Sequence, residues 1–119
     1  MTIDIDELAA RLDDPALTVL DVRTAGEYDG TRGNACDPRQ GHLPGARNLD
    51  VGVLAQCETV EQVRELVSLA DGAEIAAYCH SGSRSALAVQ VLRAAGYDAK
   101  NYVGSWHEWS RRDDLPLET

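Results

Sequence analysis

The segment Tyr78-Cys79-His80-Ser81-Gly82-Ser83-Arg84-Ser85 concentrates the groups of this chain best suited to covalent chemistry. An apolar run, Glu74 to Tyr78, leads into Cys79, and a second apolar run follows from Arg84 to Ala95. Strand, tight polar turn and helix in that order put the thiol at the C-terminal edge of a parallel sheet, where α/β proteins place their ligands. Backbone N–H groups of such a turn converge, and the helix start adds partial positive charge. A thiol held there is expected to have a lowered pKa and to act as a thiolate nucleophile. Gly82 allows a tight turn or φ > 0. Ser81, Ser83 and Ser85 can donate hydroxyl hydrogen bonds. Arg84 could hold an anionic donor group or steady the thiolate. His80 either tunes Cys79 electrostatically or points to solvent. A cysteine at a strand end is by itself most often an inert small hydrophobe; the whole unit makes Cys79 a candidate.

The elements that must position this segment follow from the pattern. Asp4 with Glu7 reads as a capping box, and Leu8 and Leu12 continue a first helix to Asp13 or Asp14, before Pro15. Leu17 to Val22 is a continuous apolar run, as in a buried strand. Thr24 to Tyr28 is compatible with a helical turn, and Asp29 to Gln40 with a loop. Ala46 to Leu49 is a short strand candidate. Thr59 with Gln62 opens a second capped helix, which Gly72 closes. The run from Arg84 to Ala95 is apolar on almost every side and is expected to be largely buried, with Gly96 as its cap. Ala99 to Val103 forms a last strand, and Ser105 caps a short final helix carrying Trp106 and Trp109. Strands alternating with helices indicate one α/β domain over residues 1–119 with a mostly parallel sheet.

Outside the loop, Asp21 and Arg23 at the end of the first buried strand either fix the active loop from behind or form a structural ion pair. His42 could move a proton, or could order the Gly41-His42-Leu43-Pro44-Gly45 turn. The two tryptophans are expected to pack. The 29–40 segment either forms a rim over the site or is a plain insertion. From its position in that loop Cys36 could resolve an oxidised Cys79, and Cys57 reads as a packed or incidental thiol.

Composition sets bounds. Eleven Lys and Arg against twenty Asp and Glu give a formal net charge of -9. Nucleic acid and anionic membranes are therefore not expected partners. The cations are Lys100 and otherwise arginines. Three cysteines, an odd count with no C-x-x-C, argue against a disulfide framework or a zinc site. No run approaches the ~18–20 apolar residues of a membrane span, and the acidic N-terminus is unlike a signal peptide. A cytoplasmic protein is the expectation.

Four segments in register resemble one family, the rhodanese-like sulfurtransferases. Asp21-Val22-Arg23 with Glu27-Tyr28 resembles the family's early strand and turn. Gly41-His42-Leu43-Pro44-Gly45-Ala46-Arg47-Asn48 resembles its G-H-[IL]-P-G-A-x-N signature. Cys79-x-x-Gly82-x-Arg84-Ser85 resembles its active loop. Gly104-Ser105-Trp106-x-x-Trp109 resembles its late G-G-x-x-x-W motif, with Ser105 replacing the second glycine. The likeness covers essentially the whole chain. It implies a five-stranded parallel sheet flanked by helices on both faces, and a sulfurtransferase without metal or organic cofactor. Cys79 would take the outer sulfur of thiosulfate or a persulfide donor as Cys–S–S⁻, cradled by His80 to Ser85, and pass it to cyanide or a thiol. A sulfur-relay protein is a further conceivable partner. A non-enzymatic sulfur-carrier or docking module is the alternative. Related arsenate reductases and phosphatases have a longer loop than the four residues between Cys79 and Arg84, wide enough for an oxyanion. The family's two-domain thiosulfate enzymes carry basic residues where Glu27 and Ser81 stand here, which leaves the preferred donor open.

Overall fold

The computed structural model describes residues 1–119, in the order α1 (Ile5–Ala10), β1 (Leu17–Asp21), α2 (Ala25–Asp29), β2 (Arg47–Asn48), α3 (Val51–Ala55), α4 (Val60–Val67), β3 (Glu74–Tyr78), α5 (Ser83–Ala94), β4 (Asp98–Asn101) and α6 (Ser105–Trp109). The strands form one sheet in the order β2-β1-β3-β4, every pair parallel. It has four strands where the family likeness implies five. The missing member is reduced to a single bridge between Thr2 and Asn101 beside β4. On its C-terminal side the chain leaves this pairing at Asp4, which caps α1, its side chain accepting from Glu7 N.

Alternation along β1 and β3 divides the core. Leu20, Ile75, Ala77 and Cys79 face one side, under Leu54 of α3, Val63 and Val67 of α4, and Ala88, Val89 and Leu92 of α5. Val19, Ala76 and Tyr78 face the other, against Leu8 of α1 and Trp106 and Trp109 of α6. Residues two apart share a face, so Tyr78 and Cys79 point to opposite sides of the sheet. Helices thus cover both faces, and no helix is long and apolar enough to cross a membrane.

Several element limits differ from the sequence expectation. α1 stops at Ala10, and the chain relaxes into turns in which Asp14 N donates to Arg11 O. Ser68 ends α4 in the left-handed conformation, at φ 57°, a role assigned above to Gly72. β2 is shorter than Ala46 to Leu49, and β4 starts one residue before Ala99 and stops at Asn101. α5 is half exposed: Ser85, Ala88, Val89 and Leu92 are buried, while Leu87 is 45% exposed. Its alanines tolerate either environment. α3 has no counterpart in the periodicity; Asp50 caps it through Gly52 N. The reciprocal capping box belongs to α2, between Thr24 and Glu27.

Candidate active site

Cys79 ends the β3 run, and its side chain turns into the start of α5. The N-cap of α5 is Gly82, which has no side chain to accept from the first N–H groups. The sulfur fills that place: Gly82 N donates to Cys79 Sγ at 3.1 Å and Ser85 N at 3.4 Å. Ser85 Oγ lies 3.3 Å from Sγ and donates when the sulfur is ionised. The thiol therefore caps the helix on which it depends. Burial pushes the Cys79 pKa up, but the hydrogen bonds from Ser85, Gly82 and Ser81 outweigh it, and the pKa lies below its ordinary value.

Gly82 makes the turn. Its φ is 98°, and a Cβ on it would sit 2.7 Å from Val103 O. Asn101, at the end of β4, donates from Nδ2 to Gly82 O at 3.1 Å and fixes the peptide from below. Ser105 supports the other side: its hydroxyl accepts from Cys79 N at 3.0 Å and donates to Tyr102 O at 2.8 Å. Its φ of 56° is one that glycine adopts freely, which accounts for a glycine at this point of the family motif. Ser105 is thus the first residue of α6, with Gly104 as N-cap, and not the cap expected from sequence. Sequence reasoning missed Asn101 altogether; the departure at Ser105 was the only signal for its neighbour.

The other expected residues divide. Ser81 and Ser83 are exposed. Arg84 binds Glu27 through both carboxylate oxygens, at 2.8 and 3.0 Å. His80 turns to Asp37 of the 29–40 segment, Nε2 to Oδ2 2.9 Å. That segment therefore touches the active loop, and Arg39 anchors it by donating to the carbonyls of Trp109, Ser110, Arg112 and Leu115. Cys36 turns its thiol to Asp37 Oδ1 at 3.7 Å, and all three cysteines are free thiols. Asp21 and Arg23 form a buried ion pair at 2.7 Å. Arg23 also donates to Gly41 O at 2.6 Å and lies over the Trp106 ring. Tyr78 OH donates to Asp21 Oδ2 at 2.7 Å and accepts from Leu43 N at 3.1 Å. The pair thus fastens the Gly41 turn to β1 and β3 on the face opposite the thiol. His42 stacks on Tyr28 at 3.7 Å, and its Nδ1 lies 2.7 Å from Tyr28 O.

The thiol thus sits at a helix start, at the head of a four-residue turn. The family model described as "Rhodanese-like domain" matches residues 4–112. The chain belongs to the rhodanese-like domain family. This rhodanese-like chain is 33% identical over 119 residues to a thiosulfate sulfurtransferase of Pseudomonas aeruginosa, a match covering 93% of the chain and 43% of that protein. It is 31% identical over 114 residues to the sulfur carrier protein TtuD of Thermus thermophilus, covering 83% of the chain and 40% of the relative. Among solved structures, a probable thiosulfate sulfurtransferase superposes with a TM-score of 0.84 at 40% identity, covering 99% of this chain and 47% of that one. The rhodanese-like chain spans less than half the length of each of these relatives.

Proposed function

We propose that the protein is a sulfurtransferase that carries sulfane sulfur on Cys79. The carrying observation is that Cys79 Sγ, at the start of α5, accepts from the backbone N–H groups of Gly82 and Ser85 and lies 3.3 Å from the Ser85 hydroxyl. The thiolate attacks the outer sulfur of thiosulfate; the S–S bond of the donor breaks, sulfite leaves with the electron pair, and Cys79 becomes a persulfide anion. Cyanide or a thiolate then attacks the terminal sulfur and returns Cys79 to its thiolate. Each half-reaction balances without cofactor or metal. The N–H groups that hold Sγ are suited to stabilise the charge that moves to the outer sulfur.

Residues behind the loop act by position. Ser105 and Asn101 hold the peptides on either side of the turn, and Asp21, Arg23 and Tyr78 hold the strand end from which Cys79 projects. His42 orders the turn at Gly41. The 119 residues act as one domain, and the composition suits a cytoplasmic setting. Relatives named thiosulfate sulfurtransferase support thiosulfate as donor. The relative named as a sulfur carrier supports a second reading, in which Cys79 forms the same persulfide and releases it only to a protein partner.

Steady-state turnover separates the two. Thiocyanate formation from thiosulfate and cyanide by the wild type, lost in Cys79→Ser, supports the enzyme. A Cys79 persulfide that forms but does not turn over with cyanide or small thiols supports the carrier.

A further inference from the structure

The 29–40 segment, the active loop and α6 meet at a cluster of donor atoms that sulfur transfer leaves unused. Sequence scatters them: Cys36 and Asp37 are neighbours, His80 follows Cys79, and His107 lies in α6. The fold gathers them. Asp37 Oδ2 lies 2.9 Å from His80 Nε2, and Oδ1 lies 3.8 Å from His107 Nδ1 and 3.7 Å from Cys36 Sγ. One donor atom from each of the four residues lies within 4.8 Å of all the others. Around a tetrahedral Zn²⁺, with bonds of roughly 2.0–2.3 Å, ligand atoms stand roughly 3.3–3.6 Å apart. Side-chain adjustments on the order of 1 Å close this set on one ion.

A second observation points the same way. The Asp37 side chain is 1% exposed, yet Oδ2 has no hydrogen-bond partner, and neither has the buried His80 Nε2 beside it. The two atoms are close, but their approach makes no hydrogen bond. A buried carboxylate oxygen and a buried ring nitrogen left in this way are costly unless something else satisfies them. A cation between them satisfies both. Arg111 holds the other oxygen, Oδ1, at 2.9 Å and donates to Cys36 O at 2.9 Å, so the carboxylate is aimed by an outer partner. His107 N donates to His80 O at 2.9 Å and Cys36 N to Asn34 Oδ1 at 2.9 Å, which fixes the backbones that carry the donors.

We propose that Cys36, Asp37, His80 and His107 form a binding site for a divalent transition ion, with Zn²⁺ the best match. One sulfur, one oxygen and two imidazole nitrogens suit Zn²⁺ and disfavour Ca²⁺ and Mg²⁺, which take oxygen shells. Four protein ligands close the coordination sphere, as in a structural site. The ion would join the 29–40 segment and α6 to the residue that follows Cys79, making the shape of the active loop responsive to metal.

The test is titration of the reduced full chain with Zn²⁺ against a chromophoric chelator, beside Cys36→Ser, His107→Gln and Cys79→Ser. The expected result is one ion per chain in the wild type and in Cys79→Ser, with affinity at least tenfold weaker in Cys36→Ser and in His107→Gln. With Co²⁺, a thiolate charge-transfer band should appear in the wild type and Cys79→Ser and vanish in Cys36→Ser. Cys36 and His107 are both exposed, so melting curves of these variants should stay near the wild type without metal. Absence of stoichiometric binding, or equal affinity in Cys36→Ser and the wild type, overturns the site. So does loss of binding in Cys79→Ser alone. Binding is read without sulfur transfer, so the outcome is independent of the sulfurtransferase reading.

Discussion

Both carboxylate oxygens of Glu27 are taken by Arg84, Oε1 by Nη1 at 2.8 Å and Oε2 by Nη2 at 3.0 Å. The guanidinium of the active loop is thereby neutralised by a residue 57 positions away in α2. An arginine so paired offers an anionic donor less than a free one would. Glu27→Gln should therefore raise kcat/KM for thiosulfate several-fold, chiefly through KM, with little change for an uncharged persulfide donor. Steady-state kinetics with both donors check this, and equal values in variant and wild type would restrict the pair to a structural role.

The same pair should show in acid. Burial acts to raise the Glu27 carboxyl pKa, but hydrogen bonds from Arg84 and Thr24 outweigh it and hold it at about 2, below its ordinary 4.5. A lowered folded-state pKa stabilises the fold fully above the ordinary value, and that stabilisation is lost as pH falls through the folded value. The stability gap between wild type and Glu27→Gln, on the order of 1 kcal/mol for a partly exposed pair, should be present at pH 7 and close between about 4.5 and about 2. Urea titrations across that range give the result directly; a gap independent of pH would assign it to packing.

Ser85 is the one loop serine whose hydroxyl reaches the sulfur, at 3.3 Å. Ser85→Ala removes a donor that lowers the Cys79 pKa. The inflection of iodoacetamide alkylation against pH should move upward, and alkylation at neutral pH should slow. An unmoved inflection would leave the backbone N–H groups as the whole source of the lowered pKa.

Gly82→Ala places a Cβ 2.7 Å from Val103 O in a residue at φ 98°. The strain should cost about 1–3 kcal/mol and pull Gly82 N away from Sγ. Both the melting temperature and the alkylation rate of Cys79 should fall. A variant that loses neither would mean that the turn rearranges freely.

Removing Asp21 leaves Arg23 buried and unpaired and takes the acceptor from Tyr78 OH. Asp21→Ala should cost roughly 3–5 kcal/mol, whereas Tyr78→Phe, which only removes hydrogen bonds, should cost about 1–3 kcal/mol. Chemical denaturation ranks the two; the reverse order would contradict the placement of the charge pair at the centre of this cluster.

What could be read in the sequence was local. The apolar runs of β1 and β3, the glycine after the cysteine and the helix that follows are properties of short windows, and each fell close to its expected place. The site's supports are not local. Glu27 meets Arg84, Asn101 meets Gly82 and Asp37 meets His80 only because parallel strands bring distant connections to one sheet edge. Nothing in their spacing carries that information. The expected fifth strand is met only by the Thr2–Asn101 bridge, after which the local cap at Asp4 turns the chain into α1.

The central claim is a sulfur atom held covalently on Cys79. Intact-protein mass after mixing with thiosulfate, then after cyanide, measures it, with Cys79→Ser alongside. The expected result is an adduct of one sulfur atom in the wild type only, lost on cyanide addition as thiocyanate appears. No adduct from thiosulfate or from a persulfide donor, or an adduct that persists in Cys79→Ser, would contradict it.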